Sequence, residues 1–121
     1  SLIERLYEVR DSSLFKRIKE KYPDIKIIIA TNHVSFIRNY IKEAFGAAYL
    51  DDVIISAEIH RIKPNRDFYE YILNKYNIKP NELLFLDDNV KNVDSACELG
   101  INTIKVDKTI DILNEIESKI D

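Results

Sequence analysis

The sequence is poor in the residues that mark several large classes of protein. Its 121 residues include one cysteine, Cys97, two glycines and three prolines, with neither methionine nor tryptophan. One cysteine excludes an intramolecular disulfide framework, and so little glycine and proline excludes collagen-like and low-complexity chains. Because the chain is cysteine-poor and carries no recognisable signal peptide, we expect a cytoplasmic protein. The lack of methionine, with Ser1 in first place, leads us to expect an upstream segment.

Charge and hydrophobicity exclude two further classes. The 18 basic and 21 acidic residues are mixed along the chain and give a net charge of -3. Without clustered lysine and arginine we expect no nucleic-acid partner. Apolar runs such as 27–30 are far shorter than the ~20 residues of a membrane span, so we expect no membrane partner. A hydrophobic fraction of 45% beside 32% charged residues is typical of a globular domain.

Amphipathic stretches alternate with short apolar runs along most of the chain. Helical spacing of apolar residues predicts helices, and short β-branched runs predict strands. The runs at 25–30 and 83–86 are nearly continuously apolar, so these two strands are expected to be buried on both faces. The predicted helices are 1–22 with a break at 11–13, 35–45, 67–76, 90–99 and 110–120, and the predicted strands are 25–30, 52–56, 83–86 and 103–106. This alternation predicts an α/β fold with a parallel sheet, in which ligands bind at the carboxyl ends of the strands. Within the helix at 90–99, Cys97 is expected to be buried.

Polar residues follow the first and second predicted strands. Thr31 and Asn32 come directly after the first strand, where a hydroxyl, an amide and free N–H groups can bind an anion. Alternatively, either residue caps the next helix. Lys63 lies beyond the second strand and before Pro64, which holds the backbone extended. Its ammonium is either a compact charge for a phosphate or one more solvated surface lysine.

An acidic pair follows the third predicted strand. Asp87 and Asp88 come directly after an apolar run, and Asn92 lies four residues past Asp88. Adjacent carboxylates repel each other, and a hard cation such as Mg²⁺ offsets that repulsion while accepting oxygen ligands. The alternative is that one carboxylate caps the helix at 90–99.

Taken in order, these groups resemble the motifs of the haloacid dehalogenase (HAD) superfamily. Ile27-Ile28-Ile29-Ala30-Thr31-Asn32 resembles its second motif and Lys63-Pro64 its third. Phe85-Leu86-Asp87-Asp88-Asn89, with Asn92, resembles the fourth motif in its double-aspartate form. The resemblance covers residues 24–121, and the double-aspartate form is similar to sugar-phosphate phosphatases and to the phosphatase domain attached to epoxide hydrolases.

The resemblance implies a fold, a reaction and a role for each matched residue. The fold is a three-layer α/β/α Rossmann-like core with a parallel sheet. The reaction is Mg²⁺-dependent hydrolysis of a small phosphorylated metabolite or sugar phosphate. Thr31, Lys63 and Asp88 would be the catalytic residues, with Thr31 hydrogen-bonding the phosphoryl group and Lys63 neutralising its charge. The remaining expected roles are substrate binding by Asn32, metal binding by Asp88 with Asp87, and bracing of the metal by Asn92.

One motif of the family is missing. No Asp-x-Asp pair follows an apolar strand, although such a pair carries the family's nucleophile. We therefore expect an incomplete core over 11–121, without its central first strand and most of its cap, and an end of helical cap or a linker helix over 1–10. Without a nucleophile this chain should be inactive. Its exposed sheet edges predict dimerisation or strand exchange.

Other functions remain open at this point. A non-catalytic HAD-like module that binds phosphate or a partner is the main alternative. A phosphomutase is a further possibility, whereas a dehalogenase is disfavoured because the acidic pair indicates a metal. A phosphoacceptor receiver domain also has an acidic pair and a lysine, but in the opposite order along the chain. The substrate itself is not predicted, because specificity in this family resides largely in the cap.

Overall fold

The computed structural model of the protein describes residues 14–33, 37, 41, 43, 49–107 and 109–120. Two compact units are present, an N-terminal unit within Ile3–His60 and a C-terminal unit that contains Arg61–Asp121. Residues 1–10, predicted to be the end of a cap or a linker helix, lie outside the described residues. Most of the predicted helix at 35–45 also lies outside them.

Within the described ranges, the N-terminal unit includes helices and a two-stranded parallel sheet. Its elements are α1 (Leu14–Lys21), β1 (Ile28–Thr31), β2 (Asp52–Ile55) and α2 (Ser56–Ile59). In the sheet Ile28 lies opposite Asp52, and Thr31 lies opposite Ile55. The core of this unit consists of Phe15, Ile18, Ile29, Ile41, Val53, Ile54 and Ile55.

Strand β1 begins later than the predicted strand at 25–30 because side chains hold the residues before it. Lys19 Nζ donates to Ile25 O at 2.6 Å and to Asp51 Oδ2 at 2.6 Å. Asp51 Oδ2 also accepts from Ile27 N at 2.7 Å. These bonds satisfy backbone groups that would otherwise seek a partner in the sheet. The strand therefore starts at Ile28 and ends on Thr31.

The C-terminal unit contains a second two-stranded parallel sheet with helices around it. Its elements are α3 (Arg66–Tyr76), a 3₁₀ turn (Pro80–Glu82), β3 (Leu84–Asp87), α4 (Val90–Glu98), β4 (Asn102–Lys105) and α5 (Ile112–Ile120). Leu84 lies opposite Asn102, and Asp87 opposite Lys105. Helix α4 packs against both strands and against α3. The core of this unit is Phe68, Tyr69, Ile72, Phe85, Val93, Ala96, Ile101, Ile104, Val106 and Ile116.

Polar caps and one glycine define the limits of α4. The Asn89 side chain accepts hydrogen bonds from the N–H groups of Lys91 and Asn92 and so satisfies the first turn. At the other end Gly100 has a φ of 87°, which favours glycine. Its N–H donates to Cys97 O, and the Ile101 N–H donates to Ala96 O, so the last carbonyls of the helix are satisfied.

The expected α/β class with parallel strands is confirmed. Two details of the prediction are wrong. Cys97 is exposed, because the buried face of α4 is formed by Asn92, Val93 and Ala96 and Cys97 lies beyond the edge of that face. Strands β1 and β3 were expected to be buried on both faces, yet in each of them buried residues alternate with half-buried ones. No helix in the described part of the chain is long and apolar enough to cross a bilayer.

Candidate active site

The centre of the candidate site in the C-terminal unit is a buried ion pair between Lys63 and Asp87. Lys63 Nζ lies 2.9 Å from Asp87 Oδ2, and the two side chains are 2% and 1% exposed. Asp87 is the last residue of β3, whereas Lys63 lies in the loop before α3. Charges so deeply buried are unfavourable unless they are paired and hydrogen-bonded. The fold thus places a lysine and a carboxylate at the carboxyl end of β3.

Both oxygens of the Asp87 carboxylate accept further hydrogen bonds. Asn92 Nδ2 donates to Oδ2 at 3.1 Å, and the Asn89 N–H donates to Oδ1 at 2.9 Å. Burial raises the pKa of the Asp87 carboxyl. The Lys63 charge and the hydrogen bonds from Asn89, Lys63 and Asn92 lower that pKa, and together they outweigh the effect of burial. The net result is a pKa below the ordinary value of 3.8, so Asp87 is ionised at neutral pH.

The surroundings of Lys63 restrict where its ammonium can lie. Its Nζ lies 5.8 Å from the ring centroid of Phe85, over the face of the ring. A cis peptide bond joins Lys63 to Pro64, and the Pro64 carbonyl accepts a hydrogen bond from Ser95 Oγ at 2.5 Å. The lysine is therefore held by its charge partner and by an aromatic ring, and the Ser95 hydrogen bond ties its loop to α4.

Asp88 follows Asp87 and precedes the cap of α4. Its side chain is half-buried, in contrast to the fully buried Asp87. No group of three or more His, Cys, Asp or Glu side chains within the described ranges is placed to hold a metal ion. A Mg²⁺ site at this acidic pair therefore stays a prediction, which rests on the preference of Mg²⁺ for one or two carboxylates together with water and phosphate oxygens.

In the N-terminal unit the end of β1 carries an unsatisfied hydroxyl. Thr31 is 1% exposed, and its Oγ1 has no hydrogen-bond partner among the described residues. Leaving a buried hydroxyl unpaired costs about 1–3 kcal/mol, so such an atom calls for an explanation such as an absent ligand. Asn32, the next residue, is exposed.

Ser56 holds the loop that follows Thr31. Its Oγ accepts from the His33 N–H at 3.0 Å and donates to His33 O at 3.2 Å. The Ala57 N–H also donates to His33 O at 3.2 Å. Ser56 is buried at the end of β2, so the loops after both strands of this sheet are tied together. Sequence reasoning missed this residue because a serine at a strand end carries no distinctive pattern.

The predicted site residues fall into two groups. Lys63, Asp87 and Asn92 are brought into direct contact in the C-terminal unit, with Asp88 adjacent in the chain. Thr31 and Asn32 lie in the N-terminal unit, and their meeting with Lys63 and Asp88 around one phosphate stays a prediction. A surface groove of about 530 Å³ beside α3 contains none of the predicted residues and is lined by Arg61, Asp67, Glu70, Tyr71, Asn74 and Lys75.

Known proteins resemble this chain in sequence. A family model described as haloacid dehalogenase-like hydrolase matches residues 3–100. Bifunctional epoxide hydrolase 2 of Mus musculus is 38% identical over 69 residues, which are 57% of this chain and 12% of that protein. Glyceraldehyde 3-phosphate phosphatase of Methanocaldococcus jannaschii is 36% identical over 59 residues, 48% of this chain and 26% of that protein. The chain therefore spans only a small part of these curated relatives.

A solved structure resembles the chain in fold. It is a HAD family enzyme of Bacteroides thetaiotaomicron, crystallised in complex with magnesium and inorganic phosphate. The TM-score is 0.69 at 24% identity, and the match covers 82% of this chain and 52% of that chain. At this level of identity the likeness establishes the shared fold.

Proposed function

The chain belongs to the haloacid dehalogenase-like hydrolases, and from this premise we propose that it is part of a Mg²⁺-dependent phosphatase acting on a small phosphorylated metabolite. The observation that carries the proposal is the buried Lys63–Asp87 pair at the carboxyl end of β3. Burying an ammonium is costly, and a lysine without a functional role could stay in solvent and avoid that cost. A site that receives an anionic phosphoryl group, by contrast, needs a positive charge inside the protein.

Each residue in the proposed site contributes to binding and charge neutralisation. Phosphoryl transfer depends mainly on positioning and on compensation of the charge that develops on the phosphoryl oxygens. Lys63 supplies a fixed positive charge, because Asp87 and the Phe85 ring hold its ammonium in place. The Thr31 hydroxyl would donate to a phosphoryl oxygen, and that bond would satisfy an atom that otherwise lacks a partner in the described chain.

The acidic pair fits Mg²⁺ through a division of roles. Both Asp87 oxygens accept hydrogen bonds, so Asp87 chiefly orients its donors Lys63, Asn89 and Asn92. We assign the direct contact with Mg²⁺ to Asp88, with Asp87 and Asn92 bracing it. When bound, Mg²⁺ would supply positive charge for the phosphoryl oxygens. The hard oxygen donors match the preference of this ion.

Two of the relatives support phosphatase chemistry. One curated relative is named as a phosphatase of glyceraldehyde 3-phosphate. The structurally similar HAD family enzyme was crystallised with magnesium and inorganic phosphate. Dehalogenases of the superfamily need no metal, whereas the double aspartate of this sequence calls for one.

A second candidate function rests on the sequence itself. No Asp-x-Asp pair follows an apolar strand in the 121 residues, so no nucleophilic aspartate is available for a phosphoenzyme. We propose that the chain as given binds phosphate without hydrolysing phosphate esters. A parent protein that also lacked this pair would be a binding module rather than an enzyme.

Substitution of Thr31 by valine tests the proposed phosphate contact. Thr31→Val keeps the side-chain shape and removes a buried hydroxyl without a described partner. We expect it to raise the free energy of unfolding by about 1 kcal/mol, because no hydrogen bond is lost. The same variant should weaken binding of inorganic phosphate with Mg²⁺, measured by calorimetry.

Thr103→Val is the matched control, since Thr103 is a half-buried threonine on β4. It should leave phosphate affinity unchanged. The proposed role of Thr31 fails if Thr31→Val binds phosphate as tightly as the wild type does.

A further inference from the structure

A tyrosine outside the predicted motifs contacts the structure around the Lys63–Asp87 pair. Tyr69 lies on α3 and is 0% exposed. Its hydroxyl donates to the backbone carbonyl of Asn92 at 2.8 Å. Asn92 is in the first turn of α4, and its own side chain donates to Asp87. One hydrogen bond therefore connects α3 to the residue that orients the Asp87 carboxylate.

The ring of Tyr69 makes a second connection to the same pair. It meets the Phe85 ring edge-on, with centroids 5.3 Å apart and an interplanar angle of 85°. The Phe85 ring in turn has Lys63 Nζ over it at 5.8 Å from its centroid. Tyr69 thus touches both sides of the ion pair indirectly, Asp87 through Asn92 and Lys63 through Phe85.

A packing role alone does not account for the hydroxyl. The apolar body of the ring would be supplied equally well by phenylalanine, which buries no polar atom. The phenol is a donor that remains protonated, because burial and the negative charge of Asp87 raise its pKa above the ordinary value of 10.0. Its acceptor is the backbone of the residue that contacts Asp87, rather than a nearby carbonyl of its own helix.

We propose that Tyr69 is a positioning residue that fixes Asn92, and through it the Asp87 carboxylate and the Lys63 ammonium, for phosphate binding. The link to phosphate binding rests on the proposed function, whereas the positioning of the Lys63–Asp87 pair by Tyr69 does not depend on it. Tyr69 touches no reacting group itself. Its hydroxyl holds the start of α4 at a fixed distance from α3, and this fixes the position of the Asn92 side-chain amide relative to Asp87.

The test compares Tyr69→Phe with Tyr71→Phe in the same 121-residue chain. Both changes remove one phenolic hydroxyl from α3. Tyr71 is half-buried, and its ring lies beside the Arg61 guanidinium. A phenylalanine at position 71 would keep this ring contact, so Tyr71→Phe is the control. The first readout is the Asn92 side-chain amide, followed by NMR through its chemical shifts and its rate of hydrogen exchange. The second is the affinity for inorganic phosphate in the presence of Mg²⁺.

Tyr69→Phe should accelerate exchange of the Asn92 amide and weaken phosphate binding, each by about 3- to 10-fold, which corresponds to the loss of one net hydrogen bond. Tyr71→Phe should change neither. A Tyr69→Phe protein that is less stable but has unchanged Asn92 amide signals would show Tyr69 to be a packing residue only and would overturn the proposal. If the wild-type chain binds no phosphate while Tyr69→Phe still accelerates exchange of the Asn92 side-chain amide, the proposed function fails and the positioning role stands.

Discussion

At the residue scale the Lys63–Asp87 pair links stability to the proposed chemistry. Two side chains that are only 2% and 1% exposed lose nearly all of their hydration. Their attraction offsets that loss because further donors satisfy the carboxylate. An anionic ligand that drew the ammonium away would leave Asp87 with the Asn89 and Asn92 donors. The lysine-proline pattern left open whether Lys63 binds a phosphate or is a solvated surface lysine. The fold buries Lys63, and its partner Asp87 became apparent only in the folded chain.

Removing the positive charge of this pair should be strongly destabilising. Lys63→Met keeps the length and apolar stem of the side chain but leaves a buried carboxylate without its counter-charge. We expect the free energy of unfolding to fall by about 3–5 kcal/mol in urea titration. Lys91→Met, on the exposed surface of α4, is the control and should change stability by less than about 0.5 kcal/mol. Equal effects of the two substitutions would contradict the buried ion pair.

The same pair predicts how stability depends on pH. The pKa of Asp87 is lower in the folded protein than its ordinary value of 3.8. A depressed carboxyl pKa stabilises the fold fully above the unfolded pKa, and that contribution is lost as the pH falls through 3.8 toward the folded pKa. The thermal midpoint of the wild type should therefore drop steeply below about pH 4.

Asp87→Asn isolates the contribution of Asp87, since the pKa of Asp51 is also lowered: burial raises it, but Lys19, the Ile27 N–H and Lys26 together outweigh that effect. The variant should be less stable at neutral pH and should lose less stability on acidification. A slope identical to that of the wild type would indicate that Asp87 is not responsible.

At the element scale, helix ends and loops position the site more than the regular parts of helices and strands do. The Asn89 cap starts α4 directly after the acidic pair, and the carboxyl end of β3 carries Asp87 itself. Short α2 and the 3₁₀ turn were not predicted, because elements of 4 and 3 residues contain no full period of a hydrophobic pattern. The longer elements α3, α4 and α5 were predicted to within a few residues of their ends.

Gly100 and His60 both have a left-handed backbone conformation, and substitutions at the two positions should change stability in opposite directions. Gly100 has a φ of 87°, and a Cβ there would meet only Pro80 Cβ at an ordinary 3.6 Å, so Gly100→Ala should cost about 1 kcal/mol through backbone strain alone. His60, exposed at the end of α2, has a φ of 57°. Relief of its strain, less the extra entropy of an unfolded glycine, should make His60→Gly more stable by about 0.5 kcal/mol.

Thermal unfolding of both variants beside the wild type measures these changes. The backbone explanation requires a lower midpoint for Gly100→Ala and an equal or higher one for His60→Gly. A loss of stability in both would mean that the His60 side chain makes contacts that outweigh its strain.

At the scale of the whole molecule, the chain has two units, each with its own parallel pair of strands and its own apolar core. In the residues that the structure describes, β1 has β2 as its sheet neighbour and β3 has β4. The expectation that open sheet edges pair with another copy or exchange strands stays a prediction, as do the proposed division at residue 11 and the cytoplasmic location.

The absence of an Asp-x-Asp pair predicts a lack of turnover by the chain as given. We expect no hydrolysis of p-nitrophenyl phosphate in the presence of Mg²⁺, because no phosphoenzyme can form without the nucleophile. Inorganic phosphate should nevertheless bind. The matched measurement is the same assay on the Lys63→Met variant. A rate for the wild type that disappears in that variant would prove this expectation wrong.

The sequence by itself determined the alternation of helices and strands, and it placed Thr31, Lys63 and the acidic pair at or near strand ends. It could do so because hydrophobic period and turn residues are local properties of the chain. Only the tertiary structure decided that Asp87 faces Lys63 and Asn92, that Cys97 is exposed, and that Tyr69 reaches Asn92. Those outcomes depend on which groups are desolvated together after α3, α4 and β3 have packed, and residues 23 or 24 positions apart carry no local sign of that encounter.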